Sequence, residues 1–184
     1  MKRCNWVNLA NERYVRYHDE EWGRAEHDDQ KLFELFILEG FQAGLSWECV
    51  LNKRDNFRKA YRGFDPQVVA NFTDEDVKRL REDKSIIRNR LKITGSIVNA
   101  RLFLELQKEW GSFDRYIWHF TDGHILHEPY TLRTTSPLSD TISKDLKKRG
   151  FKFVGSTIIY SFLQAIGIIN AHGPECELSS YEKL

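Results

Sequence analysis

The chain has 184 residues, 41% of them apolar, 13% aromatic and 30% charged, which suits one domain with a real core (1–184) and excludes both a disordered segment and two ordinary domains. No apolar run is long enough to cross a bilayer, the charged start Met1–Trp6 leads into no secretory apolar segment, and three cysteines argue against a disulfide framework and for a reducing cytoplasm. A net charge of +1 excludes a chain that coats nucleic acid by bulk charge and leaves room only for a local basic patch.

The elements read as almost all helix. Residues 29–43 are apolar on nearly every side, so this helix is expected to be buried, started by Asp28 or Asp29 and ended by Gly44. Ser46 restarts a helix that runs to about Tyr61. Asp65-Pro66 starts another, and Thr73 with Asp76 has capping-box spacing. Ser85 is expected to open a long helix carrying Ile87, Leu91, Thr94, Val98 and Leu102, and Ser112 a short aromatic one. Asp122-Gly123 is a turn that could close a small hairpin, followed by loop over 124–138. A helix from about Ser139 to Lys148, the loop 149–155 and a last apolar helix from about Ser156 to Ile166 complete the reading.

Three constellations can carry chemistry. Cys4 and His18 form Cys-x13-His near one end, and His172 and Cys176 form His-x3-Cys near the other. Two thiolates and two imidazoles suit closed, tetrahedral, structural zinc; the alternative is a chance His-x3-Cys beside an unrelated Cys4. The loop Arg149–Gly155 separates two helices, with Gly150 suited to a left-handed helix end and the next helix start suited to a phosphate. Residues 142–152 hold five basic side chains and one acid, and Lys84–Arg101 holds five basic residues and no acid, which suggests one positive face; a solvated helix face is the plainer meaning. Glu39 sits late in the apolar helix, where a carboxylate is paired, protonated, poised for a ligand, or simply out in solvent at the helix end. Trp6, Tyr14, Tyr17 and Trp47 are its aromatic companions, and Cys49 reads as a core thiol.

From end to end the sequence resembles the bacterial 3-methyladenine DNA glycosylase I family. The strings that carry the likeness are Arg3-Cys4-Asn5-Trp6, Tyr17-His18-Asp19-Glu20-Glu21-Trp22-Gly23, residues 38–47 from Leu38 to Trp47, Ile86-Ile87-Arg88-Asn89-Arg90, and residues 147–155 from Lys147 to Gly155. Glycosylases of the wider helix-hairpin-helix class carry an Asp soon after the hairpin. This chain has no acid between Asp145 and Glu175, an absence the 3-methyladenine group shares.

The resemblance implies a mainly α, helix-hairpin-helix glycosylase-type fold, with the hairpin over about 139–168 and the terminal segments 1–20 and 170–184 tied by one structural zinc. It places the zinc ligands on Cys4, His18, His172 and Cys176, the base-contacting glutamate on Glu39, and the aromatic pocket on Trp6, Tyr14, Tyr17 and Trp47. DNA contacts fall on Gly44, Leu45 and Ser46, at the gap left by the flipped nucleotide, and on Arg149, Gly150, Phe151, Lys152 and Gly155. The implied activity is monofunctional hydrolysis of the N-glycosidic bond of 3-methyladenine in alkylated double-stranded DNA, releasing the free base. The implied protein is a monomer acting at the nucleoid in a bacterial cytoplasm, without membrane partners. The alternatives are a non-catalytic damage-binding protein and a small zinc-tied interaction domain.

Overall fold

The computed structural model describes residues 1–128 and 133–179. Its first helix, α1 (Glu12–Glu20), lies where sequence periodicity assigned nothing; the Asn11 side chain starts it by accepting from the amides of Arg13 and Tyr14. The apolar helix α2 (Asp29–Gln42) runs through the middle of the molecule, capped by Asp28, with Leu32, Phe33, Phe36, Leu38 and Phe41 all buried. The neighbouring Asp29 carboxylate reaches across the core and accepts from the amides of Phe113 and Asp114 at 2.9 and 2.8 Å. The helix expected over 46–61 is two, α3 (Trp47–Asn52) and α4 (Arg54–Ala60), which meet at Lys53. Asp65 caps α5 (Pro66–Ala70), and the Thr73–Asp76 capping box opens α6 (Asp74–Glu82).

Ser85 does not open the long helix. Its hydroxyl and amide both bond to Asp83, and Asn89 caps α7 (Arg90–Trp110) instead by accepting from Lys92 N at 3.1 Å. Ser112 caps α8 (Phe113–Trp118) as its position suggests. The Asp122-Gly123 turn closes no hairpin. It leads into β1 (Leu126–His127), which pairs in parallel with β2 (Ile169–Asn170), in register Leu126 to Ile169. Part of the expected loop over 124–138, residues 129–132, lies outside the described residues, and its end is already helix. Ser136 and Ser139 cap α9 (Pro137–Arg149) reciprocally. α9 packs on α10 (Ser156–Ala165), and Gly150 at φ +96° makes the left-handed exit from α9. No described helix is long and apolar enough to cross a membrane.

Candidate functional site

The phase of α1 sets Tyr14, Tyr17 and His18 on one face. Tyr17 packs its ring 5.3 Å from Trp47, which α3 presents directly after its Ser46 cap. Trp6 lies 5.2 Å from Tyr14 and meets Trp22 edge-on at 4.8 Å. These rings and Glu39 line a cavity of about 320 Å³, whose far wall is Tyr160 and Gln164 of α10 with Arg133. Tyr160 OH donates to Glu128 at 2.8 Å, and Arg133 reaches the same oxygen at 3.4 Å.

Glu39 does not reach solvent. It is 3% exposed, and burial alone pushes its carboxyl up to about 8. Burial, then the Glu39 carboxylate, holds the Tyr17 phenol well above its ordinary value. Glu39 Oε2 and Trp47 Nε1 are both buried without a hydrogen-bond partner among the described residues. Buried polar groups are nearly always satisfied. An open acceptor and an open donor on residues lining one cavity therefore mark a place that a ligand completes.

Behind the aromatic wall, the ligand atoms of Cys4, His18, His172 and Cys176 lie within 4.8 Å of one another, all four residues buried. The sulfur–nitrogen separations are 3.6 Å (Cys4 to His172 Nδ1), 3.6 Å (Cys176 to His18 Nε2) and 3.4 Å (Cys176 to His172 Nδ1). At ordinary zinc bond lengths a tetrahedral ion holds sulfur and nitrogen about 3.6 Å apart, so the donor set fits. Each ring's other nitrogen is already oriented. His18 Nδ1 meets Asp19 at 2.8 Å, and His172 Nε2 meets the Trp22 carbonyl at 3.1 Å. Although burial opposes it, the Asp19 carboxyl is held below its usual range by hydrogen bonds from Arg3 and His18. Burial brings the His172 imidazole down to about 4, the neutral form that ligates metals. The three cysteines are free thiols, and Cys49, expected in the core, is only half-buried.

The expected DNA contacts divide. Gly44, at φ +79°, and Leu45, 43% exposed, form an open turn at the end of α2 beside the cavity. Ser46 is exposed, but its hydroxyl is taken as the α3 cap. Lys144, Lys147, Lys148 and Lys152 are exposed, and α10 starts at Gly155 without a side-chain cap, leaving its first amides open. Phe151 is 5% exposed, packs on Phe36 and donates its amide to the Leu146 carbonyl at 3.1 Å, so it anchors the loop to the core instead of facing outward. Arg149 is tied to Glu109 at 2.6 Å and Asp145 at 2.8 Å rather than free. The acid-free stretch 84–101 is not one positive face either. Lys92 turns inward and Arg101 donates to the Ala70 carbonyl, while Lys84, Arg88 and Arg90 are exposed.

Residue-by-residue reading missed Trp22, Gln42, Tyr160 and Gln164 on the cavity wall. Trp22 carried a signal, four residues after His18 in an aromatic string. Tyr160 and Gln164 carried a weaker one, polar-tipped residues four apart in a mainly apolar helix.

An aromatic slot with one open acceptor and one open donor, accompanied by an exposed leucine turn and by lysines on α9 and the 150–155 loop, defines a protein that takes in a single flat heterocycle. The chain belongs to the methyladenine glycosylase family, whose family model matches residues 6–179. It is 47% identical to DNA-3-methyladenine glycosylase 1 of Escherichia coli (strain K12), across 96% of both chains. It is 41% identical to the DNA-3-methyladenine glycosylase of Haemophilus influenzae, over 95% of this chain and 96% of that one. The fold also matches a single-substitution variant of 3-methyladenine DNA glycosylase I solved in complex with 3-methyladenine. There the TM-score is 0.91 at 32% identity, over 96% of this chain and 97% of that one.

Proposed function

We propose that this protein is a DNA base-excision repair enzyme that flips 3-methyladenine out of alkylated duplex DNA and hydrolyses its N-glycosidic bond, leaving an abasic site. The observation that carries this reading is the buried, unpartnered Glu39 oxygen in the aromatic cavity. A base inside a duplex is out of reach, so the nucleotide leaves the stack. Leu45 fills the gap, while Lys152 and the open amides at the start of α10 hold backbone phosphates. In this reading α9, the 150–155 loop and α10 are the DNA-binding hairpin.

N3-methylation makes the base cationic and a good leaving group. The pocket's work is therefore selection rather than acid catalysis. The ring faces of Trp6, Tyr14, Tyr17 and Trp47 attract an electron-poor cation. Glu39 accepts from the exocyclic amine and places negative charge beside the ring. Water attacks the sugar carbon. No lysine lines the cavity among the described residues, which supports hydrolysis without a Schiff base or strand cleavage. Cys4, His18, His172 and Cys176 would hold one zinc ion with no open coordination position, supplying a cross-link between chain ends and no chemistry at the base. The protein acts as a monomer in the bacterial cytoplasm. Chromatography of bases released from methylated duplex DNA tests the proposal: free 3-methyladenine is expected, and damage-specific binding without release would leave a non-catalytic recognition protein.

A further inference from the structure

The turn 43–46 and the loop 150–155 come from distant parts of the chain, yet one face of α7 holds both. Lys92 is buried, and its ammonium donates to the carbonyls of Phe41 at 2.9 Å and Ala43 at 2.6 Å. α2 has no basic residue in its own last turn, so these end carbonyls find their cation on another helix. Leu45 follows at once, its amide bonded back to Gln42 at 2.6 Å. Seven positions after Lys92, the buried Asn99 side chain donates to the Lys152 carbonyl at 2.9 Å and accepts from the Lys152 amide at 2.7 Å. Between them, Gly95 admits the loop closely: a Cβ there would lie 3.0 Å from the Phe153 ring and 3.2 Å from Lys152 Cβ. Phe153, in the left-handed region at φ +57°, also lies against Gly40, next in chain to Glu39. Steps of three and four put 92, 95 and 99 on a single stripe of the helix.

We propose that Lys92, Gly95 and Asn99 are positioning residues that fix the spacing between the Leu45 turn and the Lys152 loop, so that the two engage one duplex in the register that extrudes the base over Glu39. The inference rests on the functional reading above, in which both segments meet DNA. It goes beyond that reading because none of the three residues touches base or phosphate. A misplacement of about 1 Å far from the chemistry can cost a hundredfold in rate. The four hydrogen bonds are 2.6–2.9 Å long, and Lys92, Gly95 and Asn99 are themselves buried, which leaves little play at that scale.

The test uses Lys92→Met, which keeps the apolar stem and removes the donors, Asn99→Asp, which sets an acceptor against the Lys152 carbonyl, and the double variant. Gly95→Ala removes no hydrogen bond, favours helix and pushes Phe153 aside, so it carries the test if Lys92→Met does not fold. Three readouts are needed: single-turnover excision from methylated duplex, fluorescence of 2-aminopurine paired within a duplex as a report of extrusion, and affinity for free 3-methyladenine by tryptophan quenching. Excision and extrusion are expected to fall about tenfold to a hundredfold in each single variant, with free-base affinity unchanged. The double variant is expected to lose no more than the worse single one, because a spacing already lost is not lost twice. Free-base affinity that falls with the rate overturns the proposal, since the residues then only support the pocket. Losses that multiply in the double variant overturn it as well, because each residue then serves its own segment alone. Unchanged extrusion overturns it even if the wild type releases no base, an outcome that would separately sink the functional reading.

Discussion

Glu39→Gln probes the centre of the pocket at constant size. The Glu39 carboxyl is 3% exposed, and burial moves it from 4.5 to about 8, so at pH 7 the free protein holds it mostly protonated. A base with a fixed positive charge favours the carboxylate, and its arrival at pH 7 expels a proton. The charge-assisted hydrogen bond then formed is worth roughly 1.5–3 kcal/mol. Ionising a group one unit below its pKa costs about 1.4 kcal/mol. Glutamine gives neither term. At pH 7 the variant therefore loses up to about 1.6 kcal/mol, or about fifteenfold in rate at most; above pH 8 the ionisation cost vanishes and the deficit widens to about one to two orders of magnitude.

The same proton sets a slope in stability. The folded state binds it more tightly than the unfolded chain, so ionisation of Glu39 costs nothing below pH 4.5, and wild-type stability falls as the pH rises from there to about 8. Glu39→Gln lacks that slope and gains on the wild type by up to about 5 kcal/mol at pH 8 and above. Single-turnover excision and urea unfolding, each from pH 5 to 9 on the same preparations, read both effects. A wild-type to variant rate ratio that stays flat with pH would refute the reasoning, because Glu39 would then not ionise against the base.

The remaining predictions concern the scaffold and the DNA face. Elemental analysis should find about one zinc per chain, and Cys176→Ser or His172→Ala should abolish it and lower unfolding free energy by at least about 3 kcal/mol; full stability in carefully prepared metal-free protein would count against the tie. Lys152→Ala should weaken binding to damaged and undamaged duplex alike and reduce the salt slope by about one. Arg149→Ala should leave that slope nearly unchanged, since Glu109 and Asp145 already occupy the guanidinium; equal slope changes would show that DNA displaces them. Arg54 bonds buried Glu34 at 2.5 Å and Glu21 at 2.7 Å, so Arg54→Met should cost about 3 kcal/mol, seen in thermal unfolding.

Much of the local structure was legible because its causes are local. Asp28, Ser46, Asp65, Thr73 and Ser112 each bond to an amide within three residues, and each starts its helix where the sequence says it should. Ser85 failed for an equally local reason: Asp83, two residues back, had already taken its hydroxyl and amide. What could not be read is what depends on distant partners. β1 finds its parallel mate 43 residues on, where a turn signal suggested a hairpin. Arg149 is quenched by Glu109, 40 residues away. Glu39 looked as if it could reach water, because nothing near it in sequence announces that α10 closes the far side of the cavity. The pocket and ligand-cluster residues were found mainly through family likeness. Spacing alone cannot say that Cys4 and His172 lie 3.6 Å apart.

The close packing of Trp22 against His172, with ring centres 4.7 Å apart and the Trp22 carbonyl receiving the imidazole N–H, also sets an order of events during synthesis. Trp6, Tyr14, Tyr17 and Trp22 leave the ribosome first, but the side chain that braces their wall is made some 150 residues later. Gly23 is likewise some 140 residues from the Gln164 carbonyl, which its amide meets at 2.9 Å. Most of the helical core is encoded upstream of the segment after α10, but the brace of the slot is not. That segment carries His172 together with the buried Ile168, Ile169 and Ala171, so the aromatic wall of the slot rests on residues encoded far downstream of it.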